Sequence, residues 1–210
     1  MIIDVWSDVV CPWCFIGKRR LEKAIAKLPD PNTVQVRHRA FQLQPDITET
    51  VPTAQHLAEK YRVSPEQVAQ MQANVCSIAD GEGLCYDLTN TLSGNTFDAH
   101  RLLLSSAKNG TQGSLLEALY SAYFEQNKPV FSHDDILGIV ESAGLDVDSA
   151  KQVLESNEFA DQVKEDQAIA RELGANGVPF FVIDMKYGIS GAQPQEVFDE
   201  TLKAALAESN

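Results

Sequence analysis

Apolar and polar positions along this chain of 210 residues change period several times, and each change predicts an element. Ile2–Trp6 is a short β-branched and aromatic run, the pattern of a buried strand. From Phe15 the period becomes helical: Phe15, Leu21, Ala24, Ile25 and Leu28 share one side, Lys18, Arg19, Glu22 and Lys23 the other. Pro29-Asp30-Pro31-Asn32 ends that helix. Val34–Leu43 opens with the alternation of a second strand, and Pro45 closes it. Strand, helix and strand within about 45 residues predict a βαβ unit with a right-handed crossover.

The following hundred or so residues read differently. Ser64-Pro65-Glu66-Gln67 offers an N-cap, a proline at the first helical position and a capping-box glutamine. Leu115, Leu116, Leu119, Tyr120, Tyr123 and Phe124 form a broad stripe of helical period; Ile136, Leu137 and Val140 repeat it, as do Phe159, Val163, Ile169 and Leu173. Breaks at Asn109-Gly110, Asn127-Lys128-Pro129 and Gly144 separate the pieces. The strand pattern returns at Val178–Asp184 and Tyr187–Ser190, and Val197, Phe198, Leu202 and Leu206 mark a last helix. The predicted class is therefore α/β with a large all-helical insertion, residues 49–157, inside a discontinuous domain of residues 1–48 and 158–210.

Composition narrows the function classes. With 44% apolar and 22% charged residues this is an ordinary soluble globular chain. Its length suffices to bury roughly 70% of the unfolded surface without disulfide staples, and four cysteines are too few for a disulfide framework. The formal charge is -13, so no surplus of cations is available to displace phosphate counterions, and nucleic-acid binding is not expected. The charge is uneven: residues 1–42 hold seven Lys and Arg against four acids, the remainder 10 against 26. No run of 18 apolar residues exists to span a membrane. Met1–Asp8 has no basic n-region and carries two acids, so a cytoplasmic location is expected.

The chemistry concentrates at Cys11-Pro12-Trp13-Cys14, between the first strand and the first helix. At a helix N-terminus free backbone N–H groups point outward. Thiols in such motifs ionise at ~3.5–7 instead of ~8.5, and only the thiolate is nucleophilic. Charge-assisted N–H bonds contribute ~1.5–3 kcal/mol each, against ~0.3–1 kcal/mol for the exposed helix dipole. The amides are therefore expected to crown Cys11, and Lys18, Arg19, Arg20 and Lys23 to form a solvated face. Cys14, one turn on, is placed to attack a mixed disulfide on Cys11 and release the partner. Pro12 suits the helix start, and Trp13 is expected as an exposed aromatic surface for a thiol substrate. A zinc site would need a second close pair, but Cys76 and Cys85 are nine apart with no histidine at ligand spacing, so no metal is expected.

Strand, Cys-Pro-Trp-Cys, amphipathic helix and a late Gly177-Val178-Pro179 before a strand resemble the thioredoxin superfamily. Within it the chain resembles the DsbA-type thiol–disulfide oxidoreductases of the FrnE subgroup, through Asp8–Lys18, Asn95–Leu102 and Ile189–Gln193. The resemblance implies a thioredoxin-like fold with a helical domain inserted between the second strand and the proline loop. It implies that Cys11 attacks, Cys14 resolves, Pro179 is a cis-proline facing them, and Val178 offers its backbone to an extended substrate. Thioredoxins carry a buried acid six positions before the first cysteine; here that position is Val5. Asp4 and Asp8 straddle it and are expected to point elsewhere.

Cys76 and Cys85 read as idle thiols, and His100 as a satisfied helix histidine; Trp6 and Phe41 read as strand core. The expected activity is exchange of electrons between the Cys11/Cys14 dithiol and a disulfide- or thiol-containing protein or small molecule. No cofactor is expected, with glutathione as the candidate co-substrate; monomer and dimer are equally compatible with the pattern. Hydroxychromene-carboxylate isomerases and kappa-class glutathione transferases are similar in fold, which makes a glutathione-dependent isomerase or transferase the alternative. Those families place a serine where Cys11 stands and an acid after the last strand, where this chain has Ser190-Gly191-Ala192-Gln193. A non-catalytic docking module is the third class, and the intact Cys-Pro-Trp-Cys argues against it.

Overall fold

The computed structural model describes residues 1–208. Strand β1, Ile2–Ser7, is central because both of its faces are apolar. Ile3 and Val5 join one core with Phe181, Ile183 and Phe198, while Trp6 joins Ala170, Phe180 and Val182 on the other side. β1 pairs in parallel with β2 (Gln35–Ala40) and antiparallel with β5 (Phe180–Ile183), which pairs with β6 (Tyr187–Ser190). The sheet order is β2-β1-β5-β6. Helices α1 (Pro12–Ala26) and α9 (Gln195–Glu208) cover the Ile3/Val5 face. The βαβ unit and the α/β class are as the pattern predicts, and the sheet fits the thioredoxin-like fold that the resemblance implies.

Between β2 and β5 run α2 (Thr53–Tyr61), α3 (Pro65–Gly81), α4 (Phe97–Ser106), α5 (Gln112–Glu125), α6 (His133–Ser142), α7 (Val147–Leu154) and α8 (Ala160–Glu172). α8 contributes Ala170 to the core around Trp6, on the face opposite α1. The Ser64 capping box forms: Gln67 N–H donates to Ser64 Oγ at 3.3 Å and Ser64 N–H to Gln67 Oε1 at 2.9 Å. Leu115, Leu116, Leu119, Tyr120 and Phe124 are all buried, so α5 is the helix around which the others pack. The segment expected to be wholly helical also holds a two-residue ladder, β3 (Val51–Pro52) with β4 (Leu92–Ser93), too short to leave a periodic trace. Among the described residues no helix is long and apolar enough to cross a membrane.

Two polar devices hold these layers in register. β2 is an edge strand, and the Gln112 side chain occupies that edge: His38 N–H donates to Gln112 Oε1 at 3.1 Å, and Gln112 Nε2 donates to the His38 carbonyl at 3.0 Å. The basic face of α1 is not solvated as expected. Arg20 and Lys23 meet Glu82 at 2.6 Å each, and Lys18 and Arg19 meet Glu117. Burial alone would raise the Glu82 carboxyl, but hydrogen bonds and charge from Lys23 and Arg20 hold it below its ordinary value. The surplus of cations near the N-terminus is thus spent on acids of the helical segment.

Candidate active site

The chain leaves β1 at Ser7 and turns once before α1; Cys11 N–H donates to the Asp8 carbonyl at 3.1 Å. Cys11 is the N-cap of α1, in extended geometry, with Pro12 at the position where a missing N–H costs nothing. Tyr86, from the loop after α3, donates its hydroxyl to the Pro12 carbonyl at 2.8 Å and pins the helix start. The expected crown of amides does not engage the sulfur, since Cys11 makes no side-chain cap bond. Its Sγ turns instead to the Val178 carbonyl, 3.5 Å away, which can accept only from a protonated sulfur. The competing acceptor comes from a segment 167 residues distant, so local spacing could not reveal it.

Cys14 lies behind Cys11 and is 2% exposed. Burial pushes its thiol well above the ordinary value; the hydrogen bond and charge of Cys11 and the charge of Asp8 push the same way, while the Asp8 backbone works against them. The two cysteines therefore differ in kind: one faces the proline loop at a helix end, the other is held as a buried thiol. The Val178–Pro179 bond is cis. Gly17 permits the close approach of α1 to this loop, for a Cβ there would stand 3.1 Å from Pro179 Cγ and 3.0 Å from the Phe181 ring.

Asp4 points away, to Arg37 and Arg39, as expected. Asp8 does not. It is 1% exposed, accepts Leu43 N–H at 2.7 Å through Oδ2, and lies 3.2 Å from His100 Nε2 through Oδ1. Its charge reaches Cys14, which corrects the expectation that neither acid would face the pair. The turn at residues 8–11 rotates the carboxylate inward; strand alternation, which ends at Ser7, does not apply to it. Tyr120 adds a buried hydroxyl, pushed up first by burial and then by the charge of Cys14. The rest of the Asn95–Leu102 segment is structural. Asn95 bridges Gln42 and the Phe97 amide, and Arg101 donates to the carbonyls of Val153, Ser156 and Glu158.

A chamber of about 280 Å³ opens beside Cys11, between Pro12, Trp13 and Val178 on one side and α2 and α3 on the other. Trp13 is exposed at its mouth. Lys60 is its one charged lining residue, and Gln44 Oε1 is buried there with no partner among the described residues. The sequence signalled neither, since both lie in segments without a motif. A larger cavity of about 860 Å³ at the β2 edge is lined by neither cysteine. Cys76 is half-buried against the main core and Cys85 is exposed. Trp6 is buried and Phe41 packs against its cluster. Among the described residues no three His, Cys, Asp or Glu side chains converge as a metal site.

Comparison with known proteins places this geometry. A family model described as DSBA-like thioredoxin domain matches residues 2–203. A probable DsbA oxidoreductase from Streptomyces coelicolor, known from its crystal structure, is 40% identical with a TM-score of 0.94, over 99% of this chain and 91% of that one. The protein YwbO of Bacillus subtilis is 25% identical over 95% of this chain and 94% of its own. The cytosolic disulfide reductase DsbM of Pseudomonas aeruginosa, solved with GSH, is 15% identical and shares the fold, with a TM-score of 0.67 over 99% of this chain and 100% of that one.

Proposed function

The chain belongs to the family of DSBA-like thioredoxin domains, and from that premise we propose that it exchanges electrons between the Cys11/Cys14 dithiol and a disulfide or thiol substrate through a mixed disulfide on Cys11. The observation that carries this reading is the placement of Cys11 at the start of α1, across from Val178, with Cys14 buried behind it. The Asp8–Lys18 run supports the FrnE-like subgroup.

In the reducing direction Cys11 releases its proton to solvent and lets go of the Val178 carbonyl, and the thiolate attacks one sulfur of the substrate disulfide. That S–S bond breaks, the leaving half departs as a thiolate and takes a proton from solvent, and a Cys11–substrate disulfide forms. Cys14 then loses its proton and attacks Cys11 Sγ, which expels the second half and leaves two electrons fewer on the protein as a Cys11–Cys14 disulfide. The reverse sequence oxidises a substrate dithiol. Cys14 has no disulfide bond to attack until the substrate half occupies Cys11, so the two thiols act in order, and burial keeps Cys14 protonated until then. Pro12, Trp13, Val178 and Pro179 frame the substrate, with the Val178 backbone available for strand-like pairing. In a reducing cytoplasm the dithiol is the resting form.

A glutathione-dependent isomerase or transferase is the second reading, favoured by the small chamber beside Cys11. Thiol-dependent disulfide reduction by the wild type and by Cys11→Ser, run beside a glutathione-binding titration, separates the two. Loss of at least about a thousandfold in Cys11→Ser is expected, the scale on which removing a nucleophile is felt. Equal rates for the two proteins refute the exchange reading. Cys14→Ser is expected to accumulate the mixed disulfide, visible as an adduct without reductant.

A further inference from the structure

Cys11 is 3% exposed, and the free space next to it is the chamber under α2 and α3. A sulfur reaches so enclosed an atom through that chamber, which favours a small disulfide over one held on a folded surface. A volume of about 280 Å³ lies at the small end of the ~300–1,000 Å³ typical of ligand pockets. The walls facing Trp13 are Leu57, Tyr61, Met71 and Val75, apolar and partly adaptable. Lys60 lines the same space, its ammonium 5.9 Å from the centre of the Tyr61 ring, and meets no carboxylate among the described residues. On a chain of net charge -13, one unpaired cation at an apolar chamber selects for an anion that the rest of the surface repels. The unpartnered Gln44 Oε1 on the same wall offers an acceptor to a ligand N–H or O–H.

We propose that the substrate is a low-molecular-weight disulfide with an apolar, aromatic-sized body and a carboxylate, seated in this chamber with its anionic end at Lys60 and one sulfur at Cys11. This deepens the exchange reading above and rests on it. Each exchange moves two electrons from the Cys11/Cys14 dithiol to one substrate molecule, so the disulfide leaves as two thiols and the protein as its internal disulfide, and a dithiol reductant must restore it before the next.

The test uses the full chain, reduced and freed of reductant, against three probes: dithiobis(nitrobenzoate), aromatic and carboxylated; dithiodipyridine, aromatic and uncharged; and insulin, a protein disulfide. Each rate is divided by that of dithiothreitol with the same probe, which removes intrinsic reactivity. Both aromatic disulfides are expected to exceed insulin by about tenfold or more on this scale, a difference of about 1.4 kcal/mol in barrier. Lys60→Gln is expected to lower the ratio of carboxylated to uncharged probe about two- to fivefold, the yield of one partly exposed ion pair, and Lys60→Arg to retain it. Insulin reacting as fast as the aromatic probes, or a ratio that Lys60→Gln leaves unchanged, overturns the proposal. If the wild type outpaces Cys11→Ser with none of the three probes, the exchange reading itself fails and takes this one with it.

Discussion

Beneath α1 and α9, Ile3, Val5, Phe181, Ile183, Phe198 and Leu202 pack as hydrocarbon and aromatic surface. Beyond the N-terminus of the same helix, Cys11, Cys14, Asp8, His100 and Tyr120 are as deeply buried, yet every one of them carries a polar or ionisable group. The first region gains stability in proportion to the apolar area it removes from water. The second encloses a carboxylate, an imidazole and two thiols, groups whose burial costs free energy unless each finds a partner. Asp8 finds Leu43 N–H and His100; Cys11 finds the Val178 carbonyl. What the contrast teaches is that one helix serves two purposes: its middle is anchored by packing, and its end carries the chemistry.

That division can be broken from the packing side. Phe198 is fully buried and meets Phe181 edge-on at 5.0 Å between ring centres. Phe198→Ala is expected to cost about 3–5 kcal/mol of unfolding free energy in a denaturant titration. The exchange rate of the molecules that stay folded should remain within about twofold, because no partner is shared with the cysteine pair.

A smaller effect sharpens the boundary between the two regions. His38 stands opposite Val5 in the β1–β2 register, and burial together with the charge of Lys18 lowers its pKa from 6.5 to about 4. Between those values the unfolded chain binds a proton that the folded one refuses, so stability rises with pH across this window. The contribution is fully present above pH 6.5 and is lost as pH falls toward 4. Its size is on the order of 3 kcal/mol. His38→Gln should flatten that part of the curve of unfolding free energy against pH, relative to the wild type.

The smallest expected effect falls within the site. Asp8→Asn keeps an acceptor for Leu43 N–H but removes the negative charge that faces Cys14. The Cys14 thiol should then ionise more readily. In a Cys11→Ser background its alkylation by iodoacetamide at mildly alkaline pH should quicken by about two- to tenfold. An unchanged rate would show that the carboxylate does not act on this sulfur.

Much of the architecture was legible beforehand. The β-branched and aromatic run of Ile2–Trp6 and the helical stripe from Phe15 place Cys11 and Cys14 at a strand-to-helix junction. The capping box at Ser64 and the stripe of α5 mark helices where helices stand. The misses share one cause. Lys18, Arg19, Arg20 and Lys23 read as a solvated face because nothing nearby in the chain opposes them; Glu82 and Glu117 do so from 59 to 99 residues away. Asp8 was expected to point elsewhere, but it lies past the end of β1, in a turn whose direction depends on Leu43 and His100 far along the chain.

By itself the amino-acid sequence determined the longer strands and helices, the dithiol and its seat at a helix start, since these follow from spacings of two to four residues and from the limits that proline places on its own φ and on the residue before it. Only the tertiary structure decided which acids meet the cations of α1, that the Val178 carbonyl displaces the helix amides as the partner of Cys11, that Asp8 is buried between Leu43 and His100 with its charge felt at Cys14, and that Lys60 stands at the chamber beside Cys11. Those pairings join segments far apart in the chain. Periodicity states which face of an element is buried; what that face meets is settled when the layers pack.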